Sequence, residues 1–141
     1  MADRRLLIAK TLIEQMRRAA VEALPNECCG LLVGRRAPVA VVTRVVPAAN
    51  VHDDPARFFT VDPAAQFKLL RDLGDERLLG VYHSHPEGPP APSPRDLAEA
   101  NDPDLIWLVI HGRTGDIGAF QPVAGEAGKI GRFEPMVLIA G

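Results

Sequence analysis

Apolar residues along this chain fall into short blocks whose period changes from one block to the next. Leu6 to Ala9 reads as a brief strand leading into a helix from about Lys10 to Leu24, in which Leu12, Met16, Ala19, Ala20 and Ala23 recur at helical spacing and form one apolar face. Pro25 and Asn26 stop that helix. Cys28 to Val33 and Val39 to Val46 are β-rich runs separated by Gly34 to Pro38, the pattern of an antiparallel hairpin. Asp62-Pro63 opens a second helix, with Asp as N-cap and Pro at the first helical position, running to about Leu73 before Gly74. Leu78 to Ser84 is a strand, Ser93 to Ala100 a short helix, and Leu105 to Ile110 a continuous apolar run that predicts a strand buried on both sides. Ile117 to Gln121 and Arg132 to Ile139 carry a weaker strand pattern around a Gly-rich loop. Helices and strands interleave, with no repeat and no domain boundary, so periodicity predicts a mixed α and β fold.

Length and composition narrow this picture. A chain of 141 residues has enough material for one core and none for a second, which predicts a single domain over residues 1–141. A net charge of -2 and a pI near 6.1 give no electrostatic reason to expect nucleic acid or an anionic membrane as partner. Met1 to Leu6 lacks a long apolar signal region, and no apolar run reaches the roughly 18 residues of a membrane span, so a cytoplasmic location is expected. The two cysteines, Cys28 and Cys29, are adjacent and cannot staple distant parts of the fold. As strand neighbours they point to opposite faces, which argues against joint metal ligation and for buried, inert thiols.

Candidate chemistry concentrates in His83-Ser84-His85-Pro86, followed by Ser93 and Asp96. Two histidines two positions apart at a strand end point to the same face and can chelate one ion, and imidazole with carboxylate suits Zn²⁺. The stiff Pro-Glu-Gly-Pro-Pro-Ala-Pro loop can return Asp96 toward them. Ser93-Pro94-Arg95-Asp96 is also a good helix start in its own right, with Ser as N-cap, Pro at N1 and an acid at N3. The two roles of Asp96 are compatible, since one carboxylate can face an ion while its backbone starts a helix. Ser84, between the histidines, points the other way and is structural. His111 reads as a surface or edge residue, Trp107 as core, and Asn50-Val51-His52-Asp53-Asp54 as an exposed, mobile loop over the site.

These residues carry a resemblance. A distant Glu, then His-x-His-Pro, a Ser seven positions after that Pro and an Asp three further on is the pattern of the JAMM (MPN-plus) metalloproteases. Glu27, His83, His85, Pro86, Ser93 and Asp96 fit it without a gap. The run Pro25-Asn26-Glu27-Cys28-Cys29-Gly30-Leu31-Leu32-Val33-Gly34 is similar to the prokaryotic branch of the family. The resemblance extends from the helix before Glu27 to the strand around Trp107, whereas the last twenty or so residues carry no recognisable motif.

The resemblance implies a mixed sheet flanked by helices, JAMM/MPN-like and cytidine deaminase-like. It also implies one Zn²⁺ per chain held by His83, His85 and Asp96. Glu27 would act as general base toward water and pass the proton to the leaving amine, and Ser93 would donate to the oxyanion. The reaction implied is amide or isopeptide hydrolysis. Small stand-alone bacterial members resemble enzymes acting on ubiquitin-like sulfur-carrier proteins that end in Gly-Gly, releasing cysteine or a short extension. The rivals are a general or deubiquitinase-like peptidase, a phage-tail or cell-wall peptidase, and a non-catalytic MPN scaffold.

Overall fold

The computed structural model describes residues 4–36 and 38–141. Its elements are β1 (Arg5–Ile8), α1 (Lys10–Ala23), β2 (Cys29–Arg35), β3 (Ala40–Ala48), α2 (Pro63–Arg71), β4 (Arg77–His85), α3 (Pro94–Glu99), β5 (Ile106–His111), β6 (Ile117–Ala124) and β7 (Ile130–Ala140), with a short 3-10 turn at Glu126–Gly128. Local chemistry starts two of the helices as the sequence predicts. The Asp62 side chain accepts from the Ala64 N–H ahead of α2, and Ser93 and Asp96 form a reciprocal capping box at α3.

The strands order as β1-β3-β2-β4-β5-β6-β7, and β1 pairs in parallel with both β3 and β7, so the mixed sheet closes on itself. The sequence reading anticipates the mixed sheet but not the closure. Closure is the work of the C-terminal segment that carries no motif: β7 pairs antiparallel with β6 along one side and parallel with β1 along the other. The predicted hairpin is present, with Leu31 opposite Val46. Its predicted connection includes Ala37, which lies outside the described residues.

Alternation along the strands gives the sheet two apolar faces. Leu32, Tyr82, Leu108 and Ile110 lie on the face covered by α1, in one cluster with Ile13, Met16 and Ala20. Each fully buried side chain of this kind contributes about 1.5–3 kcal/mol. The buried stripe of α1 is led by Ile13 rather than Leu12, which is only half-buried, and Ala19 and Ala23 fall at its margin. On the other face, Leu31 and Val33 pack with Leu69 of α2, while Trp107 packs with Leu97 of α3 and with Phe59, Phe120 and Phe133. Gly30 allows close packing beside β4, because a Cβ there would fall inside the Tyr82 ring. Among the described residues no helix is long and apolar enough to cross a membrane.

Candidate metal centre

The centre is built at the end of β4 on the sheet face opposite α1. His83 and His85 share that face with Val81, which pairs with Trp107, while Ser84 turns toward the α1 side. Cys29 of β2 is opposite His83, so continuing the antiparallel register by two residues places Glu27 opposite His85. Ser84 secures this pairing. Its hydroxyl accepts from the Cys28 N–H at 2.8 Å, and its own N–H donates to the Cys28 carbonyl at 3.1 Å. The structural role expected of Ser84 is therefore a specific one: it holds the segment that carries Glu27.

Asp96 returns to the histidines through the Pro-rich loop and the first turn of α3. His83 Nε2 and His85 Nε2 are 3.0 Å apart, and each is 3.1 Å from Asp96 Oδ2. Ligand atoms of Glu27, His83 and His85 also lie within 4.8 Å of one another, so four groups converge. All four residues are buried. His85 Nδ1 is 2.8 Å from the Pro89 carbonyl, which can only accept; that nitrogen carries the proton and Nε2 presents its lone pair inward. A lone pair and a carboxylate oxygen facing each other at this distance need a positive charge between them. Edges of 3.0–3.1 Å are close to the ~3.3 Å that a tetrahedral ion with bonds of about 2.0–2.1 Å would set. The donor set fits a zinc-like ion, held by His83, His85 and a carboxylate.

Electrostatics agree with that use. Burial pushes the Glu27 carboxyl up to about 7, with His85 pulling it down and Asp96 adding to the rise. Burial also resists ionisation of Asp96, but the two imidazoles and the Ser93 N–H outweigh it and hold the carboxyl well below the usual range. Burial pushes His83 down and keeps it neutral, as a metal ligand must be. Burial opposes charge on His85 as well, yet its Asp96 and Pro89 acceptors draw it up, a direction that a bound cation reverses. Ser93 Oγ accepts from the Asp96 N–H at 3.0 Å, leaving its own proton to donate. Glu27, His85 and Ser93 line a cavity of about 610 Å³, and Asp96 and Phe59 line a smaller one of about 110 Å³.

Residues 9–123 match the family model described as prokaryotic homologs of the JAB domain. The chain belongs to this family. It is 43% identical over 123 residues to a probable TtuB-protein conjugate cleaving protease of Thermus thermophilus, covering 86% of this chain and 78% of that one. It is 30% identical over 110 residues to the CysO-cysteine peptidase of Mycobacterium tuberculosis, covering 77% of this chain and 74% of the other. A solution structure of a Desulfitobacterium hafniense protein superposes with a TM-score of 0.82 at 32% identity, over 96% of this chain and 92% of that one.

Around this JAB-family centre the structure adds residues that motif reading misses. Phe59 stacks on His83 with ring centroids 4.2 Å apart and planes 17° from parallel, and Trp107 meets the same imidazole edge-on at 5.6 Å. His83 Nδ1 has no hydrogen-bond partner among the described residues, so aromatic packing orients this ring. Asn50 ties the 50–60 loop to Glu27: Nδ2 donates to the Glu27 and Phe58 carbonyls, each at 3.0 Å, and to the Pro55 carbonyl at 3.5 Å, and Oδ1 accepts from the N–H groups of His52 and Thr60. The Glu27 N–H donates to the Pro55 carbonyl at 2.8 Å. Both backbone groups of Glu27 are thus fixed by the segment from Asn50 to Thr60. A Phe-Phe pair inside an otherwise polar loop was the available signal.

That segment does lie over the site, with Val51 and Asp53 exposed as expected and Asn50, His52 and Asp54 half-buried. Asn50 ties it down, and His52 is half-buried with Nδ1 accepting from the Asp54 N–H at 2.9 Å. His111 sits at the edge and organises a turn by accepting from the Arg113 and Thr114 N–H groups. Trp107 is core. Both thiols are free and burial pushes both up, that of Cys29 to about 12; Cys29 is buried as expected, whereas Cys28 is only half-buried.

Proposed function

We propose that this protein hydrolyses the amide bond following the terminal Gly-Gly of a ubiquitin-like sulfur-carrier protein, with one Zn²⁺ held by His83, His85 and Asp96. The enzyme class, a JAMM-type metalloprotease or isopeptidase, follows from family membership and the intact constellation. The substrate class is carried over from relatives whose names describe cleavage of TtuB conjugates and of CysO-cysteine. The single observation that carries the reading is the convergence of two imidazole nitrogens and the Asp96 oxygen within 3.1 Å, with Glu27 beside them.

When bound, the ion supplies a Lewis acid for the scissile carbonyl and a water acidified to a pKa of about 7. Asp96 Oδ2 lies 3.1 Å from both imidazole nitrogens, which supports Asp96 as ligand, and the burial that pushes the Glu27 carboxyl up to about 7 suits Glu27 as base. Glu27 takes a proton from the attacking water as its oxygen bonds to the carbonyl carbon. Glu27 then gives that proton to the amine nitrogen as the carbon–nitrogen bond breaks, leaving a carrier carboxylate and a free amine. Ser93, at the helix start beside Asp96, donates to the carbonyl oxygen as it gains charge, a contact worth about 3 kcal/mol when well placed.

The test is the mass of a Gly-Gly carrier bearing a cysteine or short extension, before and after incubation. Trimming to the diglycine, stopped by a metal chelator, is the expected result. An unchanged mass for every host carrier, alongside cleavage of unrelated short peptides, would replace this reading with a general peptidase.

A further inference from the structure

Arg36, the residue after β2, makes a contact that the metal centre does not use. Its Nη2 donates to Gln121 Oε1 of β6 at 3.1 Å, although β4 and β5 stand between the two strands, so the bond spans the mouth of the closed sheet. Gln121 Nε2 donates in turn to the Pro103 carbonyl at 2.7 Å, which fixes the amide and with it the guanidinium. Arg36 Nη1 is buried and has no hydrogen-bond partner among the described residues. Such a nitrogen is costly, because it has left water and still carries its share of a positive charge.

A cavity of about 350 Å³ opens beside it. That volume lies at the small end of ligand sites, ~300–1,000 Å³, and barrel mouths are one place where such sites form. Pro38, Ala40, Ile106 and Met136 supply an apolar wall, and Asp104 lines the cavity from the segment before β5. Arg36 and Asp104 therefore face one space with opposite charges. They form no ion pair, and no other described residue engages the Asp104 carboxylate. The place is distinct from the metal centre. Gly80 pairs with Ile106 and His85 with His111, so five strand residues, roughly 16 Å, separate the two along β4 and β5. Ile106 also belongs to the cluster under α1, on the face opposite His83 and His85.

The lining selects a ligand by charge. A guanidinium edge with a free nitrogen matches a carboxylate, which can take two parallel N–H···O bonds. A doubly charged anion would leave one charge unbalanced opposite Asp104. A ligand that also carries an ammonium group offers that carboxylate up to three donors. The apolar wall then takes a hydrocarbon side chain. We propose that this cavity binds a free α-amino acid with an aliphatic side chain, its carboxylate on Arg36, its ammonium on Asp104 and its side chain against Ile106 and Met136. The proposal is independent of which amide the metal centre cleaves.

Calorimetric titration of the metal-loaded protein tests it with three probes: L-leucine, leucinamide, which lacks the carboxylate, and N-acetyl-L-leucine, which lacks the ammonium. L-Leucine should bind once per chain, and each analogue about tenfold or more weakly, since each loses a charge-assisted contact. Arg36→Gln and Asp104→Asn should each weaken L-leucine binding by a similar factor, while zinc content and turnover of a carrier amide stay at the parent level. Absence of L-leucine binding at millimolar concentration would overturn the proposal. So would undiminished binding in folded Arg36→Gln, which would put the amino acid elsewhere, the metal centre included. N-Acetyl-L-leucine bound as tightly as L-leucine would leave Asp104 without a role and overturn the assignment to amino acids. Should Arg36→Gln fail to fold, Asp104→Asn, a change at an exposed residue, carries the same decision.

Discussion

Asn50→Ala removes the amide that joins the Glu27 backbone to the loop over the site. Five hydrogen bonds of 3.0–3.5 Å disappear, three donated and two accepted. At about 1 kcal/mol each, with water replacing some of them at a partly buried site, the loss is about 2–4 kcal/mol. For a chain of this size that lowers Tm by on the order of 10 °C. The effect on activity follows from a different count. His83 and His85 are fixed by β4 and Asp96 by the α3 capping box, so metal content should stay unchanged, while Glu27 loses one of its two backbone anchors. A displacement of about 1 Å at the base costs up to about 100-fold, and the loss should fall on kcat rather than KM. Asn50→Asp separates the two halves of the clamp. A carboxylate still accepts from His52 and Thr60 but faces the Glu27 and Phe58 carbonyls with no donor, so kcat should not recover. Calorimetry, metal analysis and turnover of a carrier amide on the same preparations provide the assay. An Asn50→Ala protein with kcat within twofold of the parent and an unchanged Tm would refute the clamp.

Phe59→Ala takes away the ring stacked on His83, whose Nδ1 has no hydrogen-bond partner among the described residues. Metal affinity should fall about 10-fold to 100-fold, the range typical of residues that orient a ligand, as read by competition with a chelator of known affinity; unchanged affinity would mean that Trp107 alone suffices. Neither cysteine should react with an alkylating reagent at pH 8 in the native protein, because burial raises both thiols and Cys29 ionises only near pH 12. Mass spectrometry should find two labels only after denaturation, and native labelling at Cys29 would contradict its placement.

The starts of α2 and α3 were legible because caps are local. Asp62-Pro63 and Ser93-Pro94 announced α2 and α3, and α3 delivers Asp96 with the dual capping and site placement the sequence implied. The His83 and His85 pair was legible from strand alternation alone. Closure of the sheet was not, because the pairing of β1 with β7 joins segments at opposite ends of the chain and leaves no local signature. On α1, Met16 and Ala20 are buried as read, but Ile13 is the buried residue of the first turn and Leu12 only packs at its edge; both are apolar, and only the crossing against β3 and β5 decides between them. Asn50 and Phe59 escaped for a related reason. They act on Glu27 and His83 through backbone carbonyls and ring stacking, contacts that no spacing rule encodes.

The division of labour between the two carboxylates is the central claim, and both lie close enough to the histidines to compete for the role of ligand. Zinc content and turnover measured side by side in Glu27→Gln and Asp96→Asn decide it most directly. Glu27→Gln should retain one zinc per chain and lose hydrolysis by more than about 100-fold, since an amide cannot take the proton from water, whereas Asp96→Asn should lose the zinc itself. Zinc lost from Glu27→Gln and kept in Asp96→Asn would reverse the two roles and contradict the account.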